Sequence, residues 1–328
     1  MKARMIVMWL FFVSFPYQCL GNADSYSADE KRMRIIVDSD ANNELDDQHA
    51  IAYVLLNRGS FELEGITVNK TSGGGSIKQH AAEAERVVKL CGLFPRVRVY
   101  EGASGNFEEI RNRLDQTLFD GCQAINFIIE RARAKSARKL VILAIGKLTN
   151  VGLALCKAPS IGARIRLVWL GTNYPDPGEY NLENDTSVVN YVLRSGIDFE
   201  LAVVRYGKNS GAAAVQVSVD EIRTHMKGMG PRISYKVSGR HGGEFDCFGD
   251  YSINLFEQVK EEYRSLYDLA AAAIVKNPRW AKRTVIHAPR FENGKWIEQQ
   301  NDPRQLIIWE NFDRDGILRD FYQTMNLR

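Results

Sequence analysis

The densest chemistry in this sequence is the stretch VDSDANNELDD, in which Asp38, Asp40, Glu44, Asp46 and Asp47 place five carboxylates within ten residues, directly after the apolar run RIIV. Carboxylates this close repel one another, and if they face a crevice a cation or a set of hydroxyl donors must compensate them. Their hard oxygens suit Ca²⁺ or Mg²⁺, and the neighbouring residues lack the His/Cys spacing that zinc takes. A divalent-metal site is one reading of the cluster; a solvated acidic turn or a helix N-cap is the other.

Such groups work only where rigid elements hold them. Apolar runs fit for buried parallel strands recur at residues 33–37, 63–68, 97–100, 140–145, 167–170 and 200–204, with helical patterns between them at 46–56, 76–90, 122–134, 148–156 and 186–194. This alternation predicts an α/β fold, a single-domain, doubly wound, mainly parallel sheet of Rossmann-like build. In such sheets ligands bind beyond the carboxyl ends of the strands, which is where the acidic cluster falls. No repeat, low-complexity tract or Pro/Gly/Ser-rich linker interrupts residues 33–328, so one domain is expected there.

The N-terminus reads differently. Lys2 and Arg4 precede an apolar run from residue 5 to about 15, and small residues follow. This is the layout of a secretory signal over residues 1–21, and the run is too short to span a bilayer. Cleavage after Gly21 or Ala23 would leave a short polar segment, 22–32, before the domain, and the protein is expected to be exported to the periplasm or the cell exterior. Removing residues 1–21 lowers the net charge from +3 to +1, which gives no electrostatic reason to expect nucleic acid or an anionic membrane as partner. Cys91, Cys122, Cys156 and Cys247 then remain without any CxxC pair, a spacing that excludes a zinc ribbon and leaves one or two disulfides open.

The segment VDSDANNELDDQHAIAYVL resembles the signature of the nucleoside hydrolases, in which an Asp-x-Asp pair and an Asp-Asp pair bracket a short loop leading into a helix. The loop here holds five residues, Ala41 to Leu45, where the common form has three; it is similar to a long-loop branch of that family and leaves Asn42, Asn43 and Glu44 unassigned. Four further segments carry the resemblance across residues 33 to 290: LEGITVN at 63–69, LAIGKLTNVGLAL at 143–155 with Lys147 in place of proline, Gly171 and Asn173 followed by Glu179-Tyr-Asn181 and Asp185, and SLYDLAAAAIV at 265–275. The resemblance implies a calcium ion held by Asp40, Asp47, the carbonyl of Thr149 and Asp268. It implies a ribose shell of Asp46, Asn69, Asn173, Glu179 and Asn181, with Asp38 supporting the ligands from behind. It also implies a homodimer or homotetramer and a part in purine or pyrimidine salvage.

A glycosidic C–N bond breaks through an oxocarbenium-like sugar, so an enzyme of this kind must activate water, stabilise charge at the anomeric carbon and help the base depart. The expected reaction is calcium-dependent hydrolysis of a ribonucleoside to ribose and free base, with Asp40 taking the proton of the attacking water. Better-known members place His just before the last metal-binding Asp, where this chain has Tyr267, a weaker acid. Tyr267, or His241 in the Gly-rich stretch SGRHGGEFDCFGDY, is the candidate proton donor. Two rivals stand beside this reading. A haloacid-dehalogenase-type phosphatase also opens with Asp38-x-Asp40 after a strand, but Asn42 and the Asp46-Asp47 doublet argue against it. A non-catalytic protein that binds sugars or nucleosides would use the same scaffold.

Overall fold

The near-continuous apolar runs become strands of one twisted sheet, described with its flanking helices over residues 32–326 by a computed structural model. The expected export signal at residues 1–21 lies outside the described residues. The sheet is built from β1 (Met33–Ser39), β2 (Phe61–Val68), β3 (Val99–Glu101), β4 (Leu140–Ile145), β5 (Ile165–Thr172), β6 (Asp198–Val203), β7 (Lys282–His287) and β8 (Gln305–Glu310). Their spatial order is β7-β8-β6-β5-β4-β1-β2-β3. Every neighbouring pair is parallel except β7 with β8.

The helices that flank the sheet, in chain order, are α1 (Asp46–Leu56), α2 (Ile77–Leu90), α3 (Cys122–Arg133), α4 (Thr149–Lys157), α5 (Val189–Arg194), α6 (Val219–Met226), α7 (Phe248–Phe256), α8 (Tyr267–Lys276) and α9 (Arg314–Met325). Successive strand residues point to opposite faces, so Ile35 and Val37 pack with α1, α2, α8 and α9, whereas Ile36 packs with α3, α4 and α5. Burial on both faces is why these strands read as unbroken apolar runs rather than as alternating ones.

The chain leaves β1 toward β2 and β3, then returns to the other side of β1 to form β4, β5 and β6. The loops after β1 and β4 therefore diverge, and a crevice opens between them at the carboxyl ends of those strands. Two features depart from expectation. The sheet continues past β6 into β8 and the antiparallel edge strand β7, which the sequence pattern had not marked: KRTVIH is mostly exposed, as an edge strand is, and lacks the apolar run of a central one. The single helix expected over 186–194 is instead a 3-10 turn, Thr186–Val188, followed by α5, because the Asp185 carboxylate caps that turn by accepting from the Ser187 amide at 3.2 Å. Cys91, Cys122, Cys156 and Cys247 are free thiols.

Candidate active site

The crevice is lined at its buried end by carboxylates from three separate parts of the chain. β1 ends at Ser39, so the next residue, Asp40, stands at the strand's mouth, and the following loop turns directly into α1, whose first two residues are Asp46 and Asp47. Asp268 comes from the first turn of α8, more than two hundred residues later. Glu179 caps the single helical turn Tyr180–Asn184, accepting from the Leu182 amide at 2.9 Å, and that turn places Asn181 beside it. Asp40, Asp46, Asp47, Glu179, Asn181 and Asp268 all line one cavity with about 590 Å³ of free space, part of it open to solvent.

Hydrogen bonds hold several of these groups in place. The Thr71 hydroxyl donates to Asp40 Oδ2 at 2.6 Å, and the Ser39 hydroxyl to Asp47 Oδ1 at 2.5 Å. Behind them Asp38, fully buried, accepts from Thr67 Oγ1 (2.6 Å), Asn150 Nδ2 (2.7 Å) and Asn69 Nδ2 (3.3 Å). Asp38 thereby ties the ends of β1 and β2 to the start of α4. The backbone amides of Tyr267 and Asp268, at the N-terminus of α8, favour the ionised form of the Asp46 carboxylate on α1. A helix N-terminus favours negative charge at that point.

Burial works against the ionised form of every one of these acids. It pushes Asp40 and Asp46 up to about 7, Asp38 to about 6 and Glu179 to about 8, and it raises Asp47 and Asp268 well above the ordinary carboxylate range, with mutual repulsion adding to the effect. A buried set of like charges is stable only if protonated or if a cation joins it. Oxygens of Asp46, Asp47 and Asp268 lie within 4.8 Å of one another. Oxygens that share one Ca²⁺ ion, each at about 2.4 Å, lie no more than about 5 Å apart. Asp268 Oδ1 is buried with no hydrogen-bond partner, and so is Asn181 Oδ1. The all-oxygen donor set and the orphaned Asp268 oxygen fit a hard divalent cation.

The residues singled out from sequence fall into two groups. Asp40, Asp46, Asp47, Glu179, Asn181, Tyr267 and Asp268 converge on the cavity. Asp46 stands with Asp47 and Asp268 in the trio whose oxygens meet. Thr149, Asn69, Asn173 and His241 do not line the cavity. The Thr149 hydroxyl donates to Asp185 Oδ2 at 2.5 Å; Asn69 is wholly buried against Asp38 and the Lys147 amide; Asn173 spans its own loop, bonded to Pro177 and the Tyr206 amide. His241 is exposed on the hairpin between Val237–Ser238 and Glu244–Phe245, where its Nε2 accepts from Arg240 Nε at 2.9 Å. Lys147 turns away and donates to the Gly105 carbonyl at 2.7 Å.

Sequence reasoning left out Tyr180, Tyr206 and Arg264, and gave no role to Asn43 and Glu44, yet all five line the cavity. One signal was available for Tyr206: it lies just past the carboxyl end of β6, where ligand-contacting residues of such sheets are found.

Comparison with known proteins places this geometry among characterised folds. The family model described as inosine-uridine preferring nucleoside hydrolase matches residues 35–318. An uncharacterized protein of Schizosaccharomyces pombe is 29% identical over 190 residues, half of this chain and 59% of that protein, so the match spans less than two thirds of the relative. Among solved structures, the purine-preferring ribonucleoside hydrolase of Gardnerella vaginalis superposes with a TM-score of 0.67 at 20% identity, over 89% of this chain and 98% of that one. The inosine-uridine preferring nucleoside hydrolase of Bacillus anthracis superposes with a TM-score of 0.66 at 16% identity, over 90% of this chain and 99% of that one. At such identities the superpositions establish a common fold.

Proposed function

This chain belongs to the family of inosine-uridine preferring nucleoside hydrolases, which are N-glycosyl hydrolases, and from that premise we propose that it cleaves the N-glycosidic bond of ribonucleosides with the help of a bound calcium ion. The observation that carries the reading is the convergence of Asp40, Asp46, Asp47, Asp268, Glu179 and Asn181 at the buried end of one cavity, with two acceptor oxygens there lacking partners. The four aspartates would hold the ion, with the Thr149 carbonyl as the further oxygen that the family resemblance suggests. Once bound, such an ion supplies Lewis acidity, acidifying water and gripping sugar hydroxyls.

The remaining work falls to the chain's own side chains. Asp40, anchored by Thr71, takes the proton of the attacking water. Glu179 and the free Asn181 Oδ1 accept from ribose hydroxyls, while Asn181 Nδ2 stays fixed on the Leu170 carbonyl at 3.0 Å. The buried carboxylates also stabilise positive charge as it develops at the anomeric carbon, because burial and hydrogen bonds hold them in place before the reaction. Tyr206 and Tyr267, edge to face with ring centroids 6.0 Å apart, offer aromatic surface to the base at the cavity's outer end. Aromatic surface of this kind stacks on any planar ring.

The test is release of free ribose from inosine and uridine. The hydrolase reading predicts ribose and free base in equal amounts. Nucleoside binding without ribose would favour a binding protein on this scaffold, and phosphate released from a phosphomonoester would favour the phosphatase alternative.

A further inference from the structure

We infer that Arg264 is a catalytic residue on the leaving-group side, its guanidinium taking up the negative charge that passes to the base as the glycosidic bond breaks. The inference rests on the hydrolase reading above and concerns the half of the reaction that the carboxylates cannot serve.

The cavity is polarised along its depth. Asp40, Asp46, Asp47, Glu179, Asn181 and Asp268 are all at most 6% exposed, whereas Tyr206 is 45% exposed and Glu44, Arg264 and Tyr267 stand at the outer end. Sugar hydroxyls match the buried oxygens, so the base is directed outward, toward the two tyrosines. Among the described residues that line the cavity, Arg264 alone carries a positive charge. It lies on the short strand Tyr263–Ser265, which pairs with Gln216–Ser218 and is pinned next to Arg264 by the Ser265 hydroxyl donating to the Ala213 carbonyl at 2.9 Å. Its guanidinium forms an ion pair with Glu44. Glu44 belongs to the loop between Asp40 and Asp46 and brings an acid to the arginine.

The nearby hydroxyls are poor substitutes. A phenol holds its proton up to an ordinary pKa of about 10, so the Tyr206 and Tyr267 hydroxyls are weak proton donors at neutral pH. A guanidinium keeps its protons at any ordinary pH, so Arg264 acts by charge and hydrogen bonding rather than by proton transfer. In the step itself the C1′–N bond breaks with its electron pair going to the base nitrogen, and the resulting anion, delocalised onto a ring oxygen, accepts from Arg264. The water oxygen bonds to C1′ and its proton passes to Asp40; solvent protonates the departing base, and Asp40 then returns its proton to solvent. Nucleoside and water become ribose and neutral base.

The experiment compares Arg264→Gln and Arg264→Lys with the wild type on inosine, uridine and p-nitrophenyl riboside, whose leaving group departs without help. Arg264→Gln should lower kcat/KM on both nucleosides by about 10²- to 10³-fold, the effect of losing one such donor, and lower the p-nitrophenyl rate at least about tenfold less. Arg264→Lys, which keeps the charge, should fall between Gln and wild type. The double variant Glu44→Gln/Arg264→Gln, which leaves neither charge unpaired, should show the same selective loss, with its p-nitrophenyl activity reporting that it folds. Nucleoside rates within about threefold of wild type in Arg264→Gln, or equal losses on all three substrates, would overturn the assignment while leaving the hydrolase reading intact. A wild-type protein inactive on all three would remove the hydrolase reading and this inference with it.

Discussion

Asp268 carries the strongest single-residue expectation, because its Oδ1 is buried beside Asp46 and Asp47 and has no partner in the protein. Asp268→Asn removes a charge without changing shape, so calorimetric calcium affinity should fall and ribose release should drop by about 10²-fold or more, on the scale of losing an orienting group at a metal site. Unchanged calcium affinity in that variant would place the ion elsewhere. Asn181 and Glu179 give a different signature. If their oxygens accept from ribose hydroxyls, inosine should exceed 2′-deoxyinosine in kcat/KM by roughly tenfold or more, since an acceptor left unpaired in a buried site costs ~1–3 kcal/mol. Asn181→Ala should shrink that preference, whereas equal kcat/KM for the two substrates in the wild type would contradict the ribose shell. At this scale the acids were legible because they are dense in sequence and sit at a strand end. Arg264 was not, because it is a lone cation on a short two-stranded ribbon that only tertiary folding brings to the cavity mouth, and Tyr206 offered only its place just past the end of β6. His241 is the reverse case, a conspicuous histidine in a Gly-rich stretch that the fold leaves exposed against Arg240.

The elements are held at the switch point by close approach as much as by hydrogen bonds. Gly146 opens the connection from β4 to α4, and a Cβ there would come within 2.8 Å of the Asn69 amide group and 3.1 Å of the Asp40 backbone nitrogen. Gly146→Ala should therefore push the mouth of β1 away from its place, destabilising the fold by about 1–3 kcal/mol and lowering nucleoside turnover. A variant with wild-type melting temperature and turnover would show that Asp40 is not positioned through this contact. The central strands were readable from sequence because both of their faces are buried, which makes them runs of Ile, Leu and Val. β7 escaped notice because an edge strand against solvent mixes Lys, Arg, Thr and His into its pattern. β1 runs two residues further than the apolar run suggested, through Asp38 and Ser39. Hydrogen bonds from β2 and α4 satisfy the Asp38 carboxylate, and ladder pairing with both β2 and β4 keeps these two polar positions in the strand.

For the whole molecule, the acidic centre should couple stability to both metal and pH. Asp38, Asp40, Asp46 and Glu179 have folded-state values of about 6, 7, 7 and 8, all raised by burial above their ordinary values of 3.8 and 4.5. A group whose value rises on folding stabilises the fold below its unfolded value, and that contribution is lost as the pH climbs through its folded value. The chelated protein should therefore lose melting temperature between about pH 4 and pH 8, while calcium offsets the loss by compensating the ionised carboxylates. Scanning calorimetry should show the gap between calcium-loaded and chelated protein widening over that range; a gap independent of pH would mean that these acids are not the metal's ligands. The central claim, that one calcium centre at the carboxyl ends of β1 and α8's first turn drives glycosidic cleavage, is tested most directly by titrating calcium into the chelated protein while following ribose release from inosine. Activity should be lost on chelation and return in proportion to the binding of one calcium per chain. Full ribose release by thoroughly chelated protein, or calcium binding that restores none, would contradict it.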